Sequence, residues 1–161
     1  MKIAVGTDHG GFQLKTLLVG ALEKAGHTVS DMGTFSPDSC DYPLIGAKVA
    51  RAVSTRVMER GLLLCKSGAG MAIVANKFPG VRAAVCQDVG AARHARAHND
   101  ANVLVLGASR LTSPKATAIV RVWIAEPFEG GRHARRVRQI ANIERKICVT
   151  LHGGNRKKND A

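Results

Sequence analysis

With 161 residues, 45% of them hydrophobic, the chain is long enough for one continuous core and short for two domains. No apolar run approaches the roughly 20 residues that span a bilayer, and the run inside MKIAVGTDHGG falls short of a secretory core of about 7 to 15, so a soluble, cytoplasmic protein is expected. The formal charge of +12 admits nucleic acid, a membrane face or small anions as partners, but with only 4% aromatic residues there is little to build a base-stacking platform.

From the N-terminus, apolar runs at 2–5 (KIAV), 28–32 (TVSDM), 61–65 (GLLLC), 82–86 (RAAVC) and 102–107 (NVLVLG) predict buried strands. Helical patterns alternate with them at 12–26, 42–57, 70–78, 89–99, 113–125 and 131–147. In the first helix Leu14, Leu17, Leu18, Ala21 and Leu22 share one face, and Gly26 is placed to terminate it. In the fifth, Ser113 followed by Pro114 reads as N-cap then first helical residue. Strand and helix alternating at this pitch imply βαβ units and a parallel sheet with helices on both faces, whose ligands gather at the carboxyl ends of the strands. The segment 1–147 is expected to be the domain, and the basic stretch 148–161, rich in glycine and polar residues near its end, a flexible tail.

Chemistry is expected where strands end. GTDHGGF lacks the Gly-x-Gly-x-x-Gly spacing of a dinucleotide site; Asp8 and His9 there either contact a hydroxyl-rich ligand or are a helix N-cap and an exposed imidazole. CKSGAGM is not a nucleotide P-loop, because Lys66 precedes the glycines. Gly68, Ala69 and Gly70 nevertheless allow backbone N–H groups to converge on an oxyanion at a helix start, and that positive end together with Lys66 favours a thiolate at Cys65. A thiol beside an anion hole suits acyl transfer or proton abstraction next to a carbonyl; the alternative is a structural thiol closing a buried strand. Cys40, Cys65, Cys86 and Cys148 form no Cys-x-x-Cys pair, so reduced thiols are expected. His94 and His98, four apart, share a helical face, but no neighbouring carboxylate completes a ligand set and no metal is expected. Arg132 and Arg136, also four apart, either converge on a phosphate or line a solvated basic helix.

Taken in this order, KIAVGTDHGGFQLK, DYP at 41–43, the CKSGAGMAIVANK run at 65–77, GVRAA at 80–84, HNDANVLVLGASR at 98–110 and FEGGRHARR at 128–136 resemble ribose-5-phosphate isomerase B and the related sugar-phosphate isomerases. The resemblance covers Met1 to about Ile147. It implies a Rossmann-like three-layer α/β/α sandwich with a five-stranded parallel sheet, and interconversion of an aldose and a ketose phosphate without a cofactor. It further implies Cys65 as the proton-shuttling base, Ser67 with the amides of 68–70 as the enediolate loop, and His98 as the group that opens the sugar ring. Asp8, His9, Tyr42 and Asn99 are implied as ligand contacts, and Arg132 with Arg136 as a phosphate clamp. In the family the clamp and His98 come from the neighbouring subunit, which implies at least a homodimer and leaves a tetramer open. Ribose and ribulose 5-phosphate are the first expectation for the substrate, with allose 6-phosphate, galactose 6-phosphate or a tetrose 4-phosphate as alternatives. Lys66 departs from the glycine usual at its position; it is expected to favour the Cys65 thiolate or to contact a substrate oxygen. A basic binding protein without catalysis is the reading from another class, and the retained cysteine, serine, histidine and arginines speak against it.

Overall fold

The computed structural model describes residues 1–153. Strand β1 (Lys2–Thr7) leads through a 3-10 turn at His9–Gly11 into α1 (Phe12–Lys24), followed by β2 (Thr28–Asp31), α2 (Tyr42–Ser54) and β3 (Arg60–Cys65). Then come α3 (Ala69–Ala75), β4 (Ala83–Val85), α4 (Val89–Asn99) and β5 (Val103–Gly107), and finally α5 (Ser113–Ala125) and α6 (Gly131–Gly153). The five strands form one sheet in the order β2-β1-β3-β5-β4, every pair parallel. This is the α/β sandwich and five-stranded parallel sheet that the sequence predicts.

The strand runs are continuous rather than alternating because both faces are covered. Ile3, Val5, Leu62, Leu64, Leu104 and Leu106 point into one layer with α1, α4 and α5, packed around the buried Trp123. Ala4, Leu63, Val103 and Val105 point the other way, onto α2 and α3. Strand order reverses direction at β1, with β2 on one side and β3 on the other, which opens a crevice above the carboxyl ends of β1 and β3.

Three expectations shift. On α1, Leu17 is exposed, and Lys15 takes its place in the interior. The Lys15 ammonium bonds the Asp31 carboxylate at 2.6 Å and the Thr34 carbonyl at 2.7 Å, and lies over the rings of Phe12 and Phe35. A lysine can be buried here because its charge meets an acidic strand end and its stem lies along apolar surface. Thr112 rather than Ser113 is the N-cap of α5, so Pro114 falls one position later than expected. The third shift concerns α6, which runs on through Gly153, so residues 148–153 of the expected tail are its last turns. The remainder of that tail lies outside the described residues. Gly26, with φ 82°, ends α1 as expected: its N–H bonds Glu23 O and that of His27 bonds Leu22 O. Among the described residues, no helix is long and apolar enough to cross a membrane.

Candidate active site

The predicted site residues fall into two groups at opposite ends of the sheet. The first lies in the crevice above β1 and β3. Asp8 follows β1, is buried, and accepts the N–H of Gly10 through Oδ1 at 2.9 Å; it is therefore an N-cap, as one of its two readings holds. His9 is exposed, and its Nδ1 accepts the backbone N–H of Cys40 at 3.4 Å, which ties the loop before α2 to the loop after β1.

Cys65 closes β3 with 5% of its surface exposed. Its sulfur accepts the N–H of Gly68 at 3.1 Å. That bond needs a sharp reversal of the backbone, and Gly68 supplies it with φ 86°, a conformation costly for any residue with a Cβ. The reversal leaves α3 starting at Ala69, so the amides of Gly68, Ala69 and Gly70 lie at a helix start directly after the thiol. Ser67 is exposed; its hydroxyl accepts the N–H of Ala69 at 3.4 Å and so braces the loop from inside.

The loop is wedged from three sides. A Cβ on Gly107, at the end of β5, would stand 2.7 Å from the Ser67 carbonyl oxygen. A Cβ on Gly10 would stand 3.3 Å from Lys66 N and 3.2 Å from Asp8 Oδ1. A Cβ on Gly70 would strike the Tyr42 ring, 2.6 Å from Cζ. Tyr42 thus lies against the cysteine loop although it comes from the start of α2. Lys66 offers its carbonyl to both the N–H and the hydroxyl of Ser109, at 3.1 and 2.7 Å, and its side chain is exposed. Asp8, His9, Tyr42, Cys65, Lys66, Ser67 and the three amides of 68–70 form one neighbourhood.

The second group lies at the amino end of the sheet, because α4 runs back along the strands and delivers His98 and Asn99 to the start of β5. Arg82 holds that end: Nε donates to the Asn99 and Asp100 carbonyls at 3.1 and 2.9 Å, and Nη2 to the Asp100 carboxylate at 2.7 Å. The buried Arg96 grips the other oxygen of Asp100 at 2.7 Å. His98 is half-buried and stacks between His94 at 4.9 Å and His133 at 4.2 Å. The chain reaches α6 through Gly130 and Gly131, with φ 70° and 52°, a turn that sets the start of α6 against α4 with His133 on His98. Arg132 and Arg136 are exposed, and Nε of Arg132 donates to Nε2 of His133 at 3.4 Å. His133 is buried, and that burial, followed by the nearby His98 and Arg132, holds its imidazole below the ordinary histidine range.

Glu129 and His133 are functional candidates that sequence reasoning passed over. Glu129 is fixed against α4 by its N–H to the Ala97 carbonyl at 3.0 Å, and its carboxylate lies 3.6 Å from both His98 and His133. The sequence places these residues thirty-odd positions from His98, so no local spacing announces them; the FEGGRH string held the only signal, and the arginine drew the reading.

Cys65 and His98 are therefore separated by the length of the sheet. Cys65 ends β3, while Arg60 at its start bonds the Ala101 carbonyl three residues past His98. Six strand residues at about 3.3 Å each put roughly 16 Å between the two ends. A small ligand cannot touch both groups of one chain.

A thiol beside an amide cradle in one crevice suits chemistry that develops an oxyanion, and the guanidinium groups at the other end of the sheet suit a phosphate. The family model described as Ribose/Galactose Isomerase matches residues 3–140. The Escherichia coli protein named ribose-5-phosphate isomerase B is 43% identical over 145 residues, spanning 90% of this chain and 97% of its own. The structure of the Clostridium thermocellum ribose-5-phosphate isomerase B superposes with a TM-score of 0.89 at 48% identity, covering 91% of this chain and 99% of the other. That of the Mycoplasma genitalium enzyme, solved with bound ribulose-5-phosphate, gives 0.87 at 35% identity, covering 89% and 96%. Likeness of this extent, in sequence and in backbone alike, makes the chain a member of the ribose/galactose isomerase family of sugar-phosphate isomerases.

Proposed function

We propose that this isomerase interconverts ribose 5-phosphate and ribulose 5-phosphate, with Cys65 as the base, in a site completed by a second copy of the chain. The observation that carries the reading is the Cys65 loop: a sulfur 3.1 Å from the Gly68 amide, followed at once by the helix-start amides of 69 and 70, in the crevice where the sheet order reverses. A hydrogen next to a carbonyl is weakly acidic, so its removal needs a nearby base and donors that strengthen as the oxygen gains charge. The Cys65 thiolate takes the C2 proton of the open-chain aldose and returns it to C1, while the O2 hydroxyl proton passes to O1. The amides of 68–70 hold the enediolate oxygen, and Ser67 keeps the loop in shape. Asp8, His9, Tyr42 and Asn99 contact hydroxyls. His98 opens the ring, and Arg132 and Arg136 take the phosphate.

The division of these residues between the two ends of the sheet supports a homodimer, in which one copy's Cys65 crevice faces the other copy's His98 and arginines. A surface for that partner is at hand: on α6, Ile140, Ile143 and Ile147 recur at helical spacing and are 48%, 60% and 54% exposed. The relatives named for ribose 5-phosphate favour the pentose. A second reading, a six-carbon galactose phosphate, is favoured by the two sugars in the family's description, since one loop chemistry serves both lengths.

Incubation of substrate in deuterated water tests the chemistry. Wild type should exchange the transferred hydrogen and isomerise a pentose 5-phosphate faster than four- or six-carbon phosphates. Cys65→Ala should lose both, with kcat down by about 10²- to 10⁴-fold or more, the range for a positioned base. Exchange that survives in Cys65→Ala would remove the cysteine from its role.

A further inference from the structure

The group that α4 and α6 build around Glu129 has a chemistry of its own. Nε2 of His98 and Nε2 of His133 each lie 3.6 Å from Oε2 of Glu129, too far for a hydrogen bond, and the three ligand atoms fall within 4.8 Å of one another. The two imidazole rings are parallel within 3°. His133 Nε2 accepts from Arg132, so its lone pair is held by that guanidinium. Two ring nitrogens and a carboxylate oxygen converge with no hydrogen bond among them.

The backbone beneath these groups is already fixed. Glu129 N–H bonds Ala97 O at 3.0 Å, one residue before His98, and His133 N–H bonds Gly130 O at 2.9 Å. The backbone needs no ordering by a ligand, but the two rings, parallel in this structure, must turn out of their stack to bring the three donors to the distances of about 2.0 to 2.2 Å at which zinc is bound. Two imidazoles and one carboxylate, with one side open to solvent, form a donor set suited to zinc, cobalt(II) or nickel(II). Glu129 is 55% exposed, so an ion can enter from that side.

We propose that His98, Glu129 and His133 form a binding site for a divalent transition-metal ion, filled in competition with the Arg132 to His133 hydrogen bond. The ion takes the lone pair that Arg132 now uses and pushes its guanidinium away. Where the reading of His98 and Arg132 as substrate groups holds, the ion is an inhibitor, because it occupies one and displaces the other. Binding itself does not depend on that reading.

The competition gives the test an unusual sign. Cobalt(II) is titrated into the full-length protein without substrate, followed by calorimetry and by visible absorption, which separates nitrogen and oxygen ligands from thiolate. One ion per chain is expected, with no thiolate charge-transfer band. Glu129→Gln should weaken it by at least about tenfold, as the loss of even an outer partner does at metal sites. Arg132→Gln, which replaces the competing guanidinium with a shorter neutral amide, should tighten it. Affinity unchanged in Glu129→Gln, a thiolate band, or weaker binding in Arg132→Gln would each overturn the site.

Discussion

Lys66 stands where a glycine would leave open space, and the structure divides it into two halves. Its backbone is enclosed: the amide abuts Gly10 and the carbonyl is held by Ser109. Its side chain is exposed, one residue after Cys65. We expect Lys66→Ala to slow alkylation of Cys65 by iodoacetate more than by the neutral iodoacetamide, by several-fold at low salt and less as salt screens the charge. Mass spectrometry of the Cys65 peptide measures both rates; an equal effect on the two reagents would show that the ammonium does not reach the thiol's surroundings. Cys65, Ser67 and the glycines were legible in the sequence because one loop of contiguous residues carries them. Tyr42 was legible only through the family resemblance, since its contact with Gly70 joins two segments. Glu129 and His133 were not legible at all, because a chain reversal at two glycines creates their meeting with His98.

At the level of elements, the strands were the clearest feature, since a strand buried on both faces leaves an uninterrupted apolar run. The α1 face was read less well. Periodicity assigns Leu17 to the core and cannot foresee that Lys15 finds Asp31 and two aromatic rings there. The end of α4 matters most for the site. Asp100 adopts the left-handed conformation, φ 47°, and its carboxylate joins Arg82 and the buried Arg96, so His98 and Asn99 are set in place by a charge cluster one residue later. Asp100→Ala strips the buried Arg96 of its anion, and the expected loss is about 3 kcal/mol of stability, read as a lower urea midpoint. A midpoint within about 0.5 kcal/mol of wild type would mean that the Ala101 carbonyl alone satisfies Arg96.

The molecule as a whole has two chemically distinct ends and a sheet between them, which sets up a test by mixing. Cys65→Ala disables one end and Arg136→Ala the other. If each site draws on both copies, the two inactive proteins unfolded and refolded together should recover activity, to about a quarter of wild type when copies pair at random in a twofold dimer. Neither protein alone should recover any, and failure of the mixture would confine the site to a single chain.

The order of elements also has a consequence in time. All five strands lie within residues 2–107, and among the described residues of α6 only His133 is buried. As the chain leaves the ribosome, the sheet and both its helical layers emerge ahead of α6, so the core can form before the arginines and the isoleucine stripe come out. On the proposed roles of Arg132 and Arg136, a chain that ends before α6 is expected to keep its core and to be inert.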